Sequence, residues 1–378
     1  MSVNYEVFDF TPQYETPPQS QQQQETSPKP AASGALTQEQ WNPIVPIVTY
    51  TLQEELSVRR SLTQPHRFLD AEPETDASNL ESPCRILEIC IPLPTKIEVP
   101  TQAQCAAISR SAPILSLCQR HNIELVIQPQ PLYLAHRTPG LAVFDMDSTL
   151  IQQEVIDELA RAVGRYDQVA AITEAAMRGE APYTDFEASL RARVALLQGV
   201  PTTIWEQLRT AVITFTPGAR ELIRVLKRLG WKTAVLSGGF TPLAEWVKRE
   251  LGLDYAHANH LVEEDGHLLG ALVPGMDIVH AERKRILLES IANENGIPLE
   301  NVIAVGDGSN DLLMMHRAGL GVAFNAKPKV QMQAPAKLNA DGLLDVMHIL
   351  GYTKDEVSEI LRHEMVWEDE QYVLRRPS

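Results

Sequence analysis

Asp145 and Asp147 are separated by one residue and directly follow a short apolar run. Two carboxylates at the end of a buried strand can point the same way once the chain leaves the pleat. One of them can then bind a metal and attack an electrophile while its neighbour transfers protons. An acidic turn without a chemical role is the alternative interpretation of this segment taken alone.

A second cluster of oxygen-bearing side chains follows another apolar run, at residues 306–311 with the sequence Gly-Asp-Gly-Ser-Asn-Asp. Its glycines allow a tight backbone beside the acidic and amide groups. Such a cluster suits a hard cation such as Mg²⁺, which prefers carboxylates, waters and substrate phosphate as ligands. Turn chemistry alone would also explain these residue types, but the presence of the first acidic pair favours the metal site.

Two further elements could bind an anion. The segment Ser237-Gly238-Gly239 ends a third apolar run and leads directly into a helical pattern, so it presents a hydroxyl and free backbone N–H groups. Lys284 adds a compact positive charge, although a lysine on the surface would be the ordinary interpretation of that residue alone. The combination predicts an anion site close to the acidic clusters.

Three apolar runs must position these groups, at 141–144, 233–236 and 302–305. Short apolar runs of this kind are expected of buried parallel strands. Each is followed by a helical pattern, so the chain is predicted to form an α/β fold with a doubly wound parallel sheet. The polar residues then lie at the carboxyl ends of the strands, which is the edge where ligands bind.

About eighty residues rich in helix formers separate the first and second of these runs. A plain crossover needs only about a dozen residues. The excess predicts an inserted helical cap over the sheet edge, at about 155–230.

The rest of the chain divides by composition. Residues 1–40 are rich in Gln and Pro and are predicted to be a disordered tail. Residues 41–137 alternate between strand-like runs (85–91 and 123–128) and a helix-like segment (102–119), which predicts a small α/β lobe, a candidate regulatory domain. Residues 138–350 would form the core with its cap, and 351–378 a C-terminal helix and tail that begins at a capping box of Thr353 and Glu356.

The charge and the cysteine content of the chain limit which partners it can bind and indicate the cellular compartment in which it is expected. The 378 residues include 33 basic and 49 acidic ones, and the formal charge of −16 argues against sequence-independent binding to nucleic acid. No apolar run approaches the roughly 18 to 20 residues that cross a bilayer, so no membrane partner is expected. The chain has four cysteines and no Cys-x-x-Cys pair, and its first residues do not resemble a signal peptide, which predicts the cytoplasm.

These motifs, in this order, resemble the haloacid dehalogenase-like (HAD) phosphatase superfamily over residues 141–349, and most closely its phosphoserine phosphatases. The specific signatures are Glu154, nine residues after Asp145, and the cap segment 186–193, Phe-Glu-Ala-Ser-Leu-Arg-Ala-Arg. The resemblance implies Mg²⁺-dependent hydrolysis of O-phospho-L-serine to L-serine and phosphate, the last step of L-serine biosynthesis. The reaction would pass through an aspartyl-phosphate intermediate.

The resemblance also implies the catalytic roles. Asp145 would be the nucleophile, and Asp147 would protonate the leaving serine oxygen and then activate water. Mg²⁺ would be held by the carboxylates of Asp145 and Asp307 and by the backbone carbonyl of Asp147.

The implied substrate contacts fall into two groups. Ser237, the Gly238 N–H and Lys284 would bind the phosphoryl oxygens, with Asn310 close to the phosphate and Asp311 orienting Lys284. At the amino-acid end, the carboxylate of Glu154 would bind the substrate ammonium. Arg193 would bind the substrate carboxylate through its paired donors.

Two alternatives stay open at this point. The same chemistry could act on another small phosphorylated amine or amino acid, or transfer the phosphoryl group to another alcohol. A regulatory protein that keeps the fold and binds a phosphometabolite through the N-terminal lobe is the non-enzymatic alternative, but the presence of both Asp145 and Asp147 argues against it. The expected partner is a small-molecule substrate, and a homodimer is an open alternative for the assembly.

Overall fold

The structure is a computed structural model that describes residues 2–9, 36–58, 66–70, 83–362, 364–368 and 371–375. Contacts divide the chain into two units, one made of Met1–Pro139 with Val322–Ser378 and the other of Gly140–Gly321. This division places residues 322–350 in the first unit, whereas the sequence analysis assigned them to the core at 138–350. None of the helices in the described ranges combines the length and apolar character that a membrane crossing requires.

The described residues form the following strands: β1 Ser2–Asp9, β2 Leu36–Thr37, β3 His66–Phe68, β4 Pro83–Cys84, β5 Ile86–Pro92, β6 Ile123–Pro129, β7 Leu141–Phe144, β8 Lys232–Phe240, β9 Tyr255–Asn259, β10 Leu261–Glu264, β11 His267–Leu272, β12 Val302–Gly306, β13 Leu320–Phe324, β14 Ala336–Leu338, β15 Glu364–Glu368 and β16 Gln371–Arg375. The α-helices are α1 Gln38–Trp41, α2 Ile44–Glu55, α3 Gln102–Ser109, α4 Ala112–His121, α5 Gln130–Ala135, α6 Val155–Ala162, α7 Tyr166–Met177, α8 Phe186–Ala195, α9 Ile204–Gln207, α10 Ala219–Arg228, α11 Thr241–Leu251, α12 Ala281–Glu294, α13 Leu312–Arg317, α14 Pro328–Gln331, α15 Val346–Ile349 and α16 Lys354–Arg362.

The first unit contains an antiparallel sheet of four strands in the order β3-β5-β1-β6. One face of β5 and β6 packs against α2, α3 and α4, since the strands alternate apolar residues toward the helices. The buried core of this lobe includes Trp41, Leu52, Leu87, Ile114 and Leu125. An α/β lobe therefore precedes the second unit along the chain.

The prediction of a disordered tail over residues 1–40 is wrong for residues 36–40, which form β2 and the start of α1, and it is also wrong for residues 2–9. These residues form β1, which pairs antiparallel with β5 on one side and β6 on the other. Val3, Tyr5 and Val7 alternate in the sequence with the period of two that strands require. The Gln-rich run at 21–24 lies outside the described residues.

Two other expectations of local structure need correction. The single helix expected at 102–119 is two helices, α3 and α4, because Ser111 adopts an extended conformation ahead of Pro113 in the first turn of α4. The C-terminal helix is present as α16, with the capping box of Thr353 and Glu356 formed. In the expected tail, strands β15 and β16 pair antiparallel with each other.

The second unit is organised around parallel strands, and the predicted α/β fold class is confirmed. Strands β12, β7, β8 and β9 lie side by side in parallel register, within a sheet of six strands in the order β14-β13-β12-β7-β8-β9. All four residues of β7 and all five of β12 are buried. The carboxyl ends of β7, β8 and β12 deliver Asp145, Ser237 and Asp307 to one edge of this sheet.

Helices α6 to α9 occupy the insertion between β7 and β8, where the cap was predicted. Helix α6 packs on α7, α7 on α8, and α8 contacts β11. Helix α10, which the predicted range of 155–230 included, packs on β8 and α11. The apolar face of α10 (Leu222, Ile223, Leu226) explains this position, because it is fully buried.

A hairpin of β10 and β11 contacts the cap, although the hairpin is distant from the cap in sequence. The N–H of Gly199 donates to the carbonyl of Leu268, whose own N–H donates to Val200, both at 2.8 Å. Gly270 has φ +70°, and a Cβ there would lie 3.0 Å from the carbonyl oxygen of Ala195 at the end of α8. The hairpin thereby supports the helix that carries Arg193.

Candidate active site

A buried lysine joins two aspartates at the centre of the sheet edge. The Lys284 Nζ lies 2.8 Å from Asp145 Oδ1 and 2.7 Å from Asp311 Oδ1, and the lysine side chain is fully buried. Burial by itself would lower the pKa of Lys284, but the two carboxylates outweigh it and the pKa is raised. The lysine is therefore held as a cation directly beside Asp145.

Asp147 lies across the same edge from residues 237–239, an irregular turn within the last part of β8, where its pairing with β9 shifts register. Its Oδ1 is buried without a hydrogen-bond partner among the described residues. Burial, with the negative charges of Glu154 and Asp145, raises the pKa of Asp147 well above its usual range. A raised pKa makes this carboxyl group a better proton holder than an ordinary aspartate, so it can donate a proton to a ligand.

The turn at 237–239 packs tightly against Asp147. The Gly239 N–H donates to Ser237 Oγ at 2.8 Å, and Ser237 is fully buried. A Cβ at Gly239 would lie 3.1 Å from Asp147 Oδ2 and 3.0 Å from Ser237 Oγ. A larger residue at position 239 would therefore crowd the Asp147 carboxylate and the Ser237 hydroxyl.

Asp307 adds a third carboxylate, so this edge can hold a metal ion. Carboxylate oxygens of Asp145, Asp307 and Asp311 lie within 4.8 Å of one another. Burial, with the charges of Glu154, Asp145 and Asp311, raises the pKa of Asp307 well above its usual range. A cation placed between them would relieve this repulsion, and a set of hard oxygen donors suits a hard divalent ion.

The Asp311 carboxylate is already engaged on both oxygens. Oδ1 accepts from Lys284, and Oδ2 accepts from the Gly308 N–H at 3.0 Å. Burial and the Asp145 charge raise the pKa of Asp311 to about 7, against the opposing effect of Lys284. These contacts fit a residue that orients the lysine better than one that binds the metal.

Asn310 and Phe186 approach the turn at Gly238 from two sides. A Cβ at Gly238 would lie 3.9 Å from the Asn310 Nδ2 and 3.3 Å from the Phe186 Cζ. Phe186 is the first residue of α8, so the cap meets the sheet edge at this turn. The structure thus brings the cap segment and the anion-binding turn together.

Arg193 lies two helical turns after Phe186 on the same helix. Burial lowers the pKa of its guanidinium, and the nearby carboxylates Glu154, Asp157 and Asp147 oppose that effect. Its Nε donates to the Ser189 carbonyl at 3.3 Å, while its terminal Nη groups meet no acceptor among the described residues. The two Nη groups are free to bind a carboxylate.

Glu154 is the N-cap residue of α6; its residue surface is exposed to solvent, but protein atoms and other charged groups surround its carboxyl. Burial raises the pKa of its carboxyl, and the charges of Asp145 and Asp157 add to this; a hydrogen bond from Ser148 and the charge of Arg193 oppose it. The Ser148 Oγ donates to Glu154 Oε1 at 2.8 Å. The Glu154 carboxylate and the Arg193 guanidinium thus lie close enough to interact electrostatically, and both interact with one of the two aspartates, Glu154 with Asp145 and Arg193 with Asp147.

All the predicted site residues lie in the second unit, and the structure brings them to one edge of its sheet. Sequence reasoning missed Asp157, which interacts electrostatically with Arg193, and Ser148, which holds Glu154. It also missed Asn259, at the end of β9, whose side chain bonds to Gly238. Asp157 follows Glu154 by three residues on one face of α6, a spacing that could have revealed it.

Comparisons with known proteins agree with this site. The profile of the family described as "HAD: haloacid dehalogenase-like hydrolase" matches residues 142–316. A phosphoserine phosphatase of Streptomyces coelicolor is 49% identical over 224 residues, which is 59% of this chain and 53% of that protein. A probable phosphoserine phosphatase of Schizosaccharomyces pombe is 48% identical over 225 residues, which is 59% of this chain and 74% of that protein. The chain thus spans about half the length of the Streptomyces relative.

Two solved structures extend the comparison. One is a substrate-bound phosphoserine phosphatase complex, with 42% identity, a TM-score of 0.51, and coverage of 57% of this chain and 99% of that one. The other is a phospho-aspartyl intermediate analogue of phosphoserine phosphatase, with 42% identity, a TM-score of 0.50, and coverage of 57% and 100%. The chain belongs to the haloacid dehalogenase-like hydrolases and, within them, to the phosphoserine phosphatase family.

Proposed function

We propose that this protein hydrolyses O-phospho-L-serine to L-serine and phosphate through an aspartyl-phosphate on Asp145. The observation that carries the proposal is that two candidate subsites lie side by side at one edge of the sheet. Asp145, Ser237 and Lys284 can hold a phosphoryl group, while Glu154 and Arg193 beside them can hold an ammonium and a carboxylate. A phosphorylated amino acid carries all three of these groups.

In the first step, an Asp145 carboxylate oxygen bonds to phosphorus as the bond from phosphorus to the serine oxygen breaks. The raised pKa of Asp147 allows its carboxyl to deliver a proton to that oxygen. In the second step, the Asp147 carboxylate takes a proton from a water molecule that attacks phosphorus. Phosphate leaves, and Asp145 regains its carboxylate.

The proposed cofactor is Mg²⁺, which the Asp145 and Asp307 carboxylates and the backbone carbonyl of Asp147 would hold. When bound, it supplies positive charge that offsets the negative charge of the phosphoryl group and of the carboxylates around it. Lys284 adds a second positive charge, and Asp311 orients it through the 2.7 Å bond.

The remaining phosphoryl contacts come from the turn at 237–239 within β8 and from Asn310. Because Ser237 Oγ accepts from the Gly239 N–H, its own hydrogen is free to donate to a phosphoryl oxygen. The Gly238 N–H and the Asn310 amide lie on the same side of the site. These donors are already oriented to bind the negative charge that develops in the transition state. Such preorganised binding of charge is a main source of catalysis in phosphoryl transfer.

A panel of phosphomonoesters tests the proposal. We expect phosphate release from phosphoserine to exceed, in kcat/KM, release from phosphoethanolamine, phosphothreonine and a sugar phosphate. L-serine and phosphate should form in equal amounts, also when an alcohol such as homoserine is added. A deficit of phosphate relative to serine would indicate a phosphotransferase, and equal rates on the whole panel would contradict recognition of the amino acid.

Replacement of Arg193 tests the carboxylate subsite. Arg193→Ala should lower kcat/KM for phosphoserine at least roughly tenfold, because a charge-assisted hydrogen bond is worth about 1.5 to 3 kcal/mol. Hydrolysis of phosphoethanolamine, which lacks the carboxylate, should change little. Arg191→Ala is the matched control, since Arg191 lies on the same helix but is exposed and paired with Glu187. An equal loss on both substrates would assign Arg193 to support of the cap.

The cytoplasmic location, a regulatory role of the first unit and a homodimeric assembly are predictions that rest on the sequence. The four cysteines have no disulfide partner in the structure, which is compatible with a reducing compartment.

A further inference from the structure

The side-chain amide of Asn259 connects two segments that meet at the active site. Asn259 is the last residue of β9 and is only 2% exposed. Its Nδ2 donates to the Gly238 carbonyl at 2.9 Å, and its Oδ1 accepts from the Val279 N–H at 2.8 Å. Both ends of the amide are therefore used inside the protein.

The first contact fixes the turn that contains Ser237. The peptide between Gly238 and Gly239 is bonded at both of its polar atoms, because its carbonyl accepts from Asn259 and its N–H donates to Ser237 Oγ. Rotation of this peptide would move the hydroxyl and the Gly238 backbone together. The Asn259 amide thus helps to fix the Ser237 hydroxyl through this peptide, and it fixes the Gly238 N–H only through the adjoining backbone.

The second contact reaches the helix that carries Lys284. Val279 is followed by His280, the N-cap residue of α12, and the Lys284 N–H donates to the His280 carbonyl at 2.9 Å. The Val279 carbonyl oxygen also lies 3.8 Å from where a Cβ of Gly238 would be. The segment that leads into α12 and the turn at 237–239 within β8 are therefore held against each other at Asn259.

We propose that Asn259 is a positioning residue that sets the Ser237–Gly239 turn relative to Lys284, so that both bind the same phosphoryl group. This rests on the proposed function only in taking a phosphoryl group as the bound species. Without the amide, the Gly238 carbonyl loses its donor and the turn loses its connection to α12. A buried carbonyl without a donor is costly, so the peptide should rotate to find another partner.

Binding of inorganic phosphate in the presence of Mg²⁺, measured by isothermal titration calorimetry on the full chain, tests this. We expect Asn259→Ala to weaken phosphate binding at least about tenfold, which is about 1.4 kcal/mol. Asn259→Asp keeps the shape and the bond to Val279 but removes the donor to Gly238, and should weaken phosphate at least as much. The second variant keeps the test available if Asn259→Ala does not fold.

Asn295→Ala is the matched control. Asn295 bonds through its amide to Tyr255 at the opposite end of β9 and to Ile291 in α12, so it connects the same two elements away from the polar edge. The phosphate affinity of the Asn295→Ala variant should stay within about twofold of that of the wild type.

Several outcomes would overturn the proposal. They are a folded Asn259→Ala that binds phosphate within twofold of the wild type, an equal loss in Asn295→Ala, and a wild-type protein that binds no phosphate. Because inorganic phosphate has no amino-acid part, a protein that binds it in the expected order but does not hydrolyse phosphoserine would refute the proposed function and leave the role of Asn259 supported.

Discussion

Asp145→Asn should abolish steady-state turnover, with a fall in kcat of at least roughly 10³-fold, because an amide cannot attack phosphorus as an anion. The fold should survive. The asparagine oxygen can still accept from the Met146 N–H and from Lys284, and Lys284 keeps its bond to Asp311. A phosphate-release assay should show no turnover by this variant. Its melting temperature should stay within a few degrees of that of the wild type.

The control for this variant is Asp265→Asn, since Asp265 is an exposed residue of the β10–β11 turn. Its kcat should equal that of the wild type. Mass spectrometry must show that the Asp145→Asn sample is free of deamidated chain, which would restore the carboxylate. Sustained phosphate release from such a sample would remove Asp145 as the nucleophile.

Removal of divalent metal should lower activity to below about 1% of the Mg²⁺-loaded rate, since charge neutralisation by a metal is worth several kcal/mol in the transition state. Mg²⁺ should restore the activity and Ca²⁺ should do so poorly. Ca²⁺ takes more oxygen ligands at longer distances, which should displace the Asp145 carboxylate from its line of attack.

The Asp307→Asn variant tests whether these carboxylates bind the required metal. The variant should need at least about tenfold more Mg²⁺ for half-maximal activity, because one carboxylate of the set is lost. Asp277→Asn is the control, as Asp277 is an exposed aspartate paired with Arg283. Activity that persists after exhaustive chelation would show that the carboxylates serve another purpose than metal binding.

The sheet edge was predictable because each part of it is encoded locally. The apolar runs at 141–144, 233–236 and 302–305 match β7, β8 and β12 to within a few residues at their ends. Each run ends at a residue that the structure places in the site, since parallel strands deliver their carboxyl ends to one edge. The strand period and the site chemistry are therefore visible in the same short segments.

What escaped prediction depends on contacts between distant segments. Strand β1 lies between β5 and β6, yet more than seventy residues separate Ser2–Asp9 from Ile86–Pro92. A local pattern cannot show which strand such a segment will join. Asn259 was not predicted for a related reason. An asparagine at the end of a strand is commonly explained as a turn residue, and only the structure shows its two bonding partners.

The hairpin of β10 and β11 makes the cap discontinuous in sequence, and this matters for protein engineering. A chimera that exchanges only 155–213 with a relative would join a foreign α8 to a native β11, and the close approach of Gly270 to Ala195 would have to be rebuilt by chance. The backbone bonds from 199–202 to 266–268 would face the same mismatch. The transferable unit for redesigning substrate choice therefore comprises two segments, 155–213 and 261–272, which have to be exchanged together.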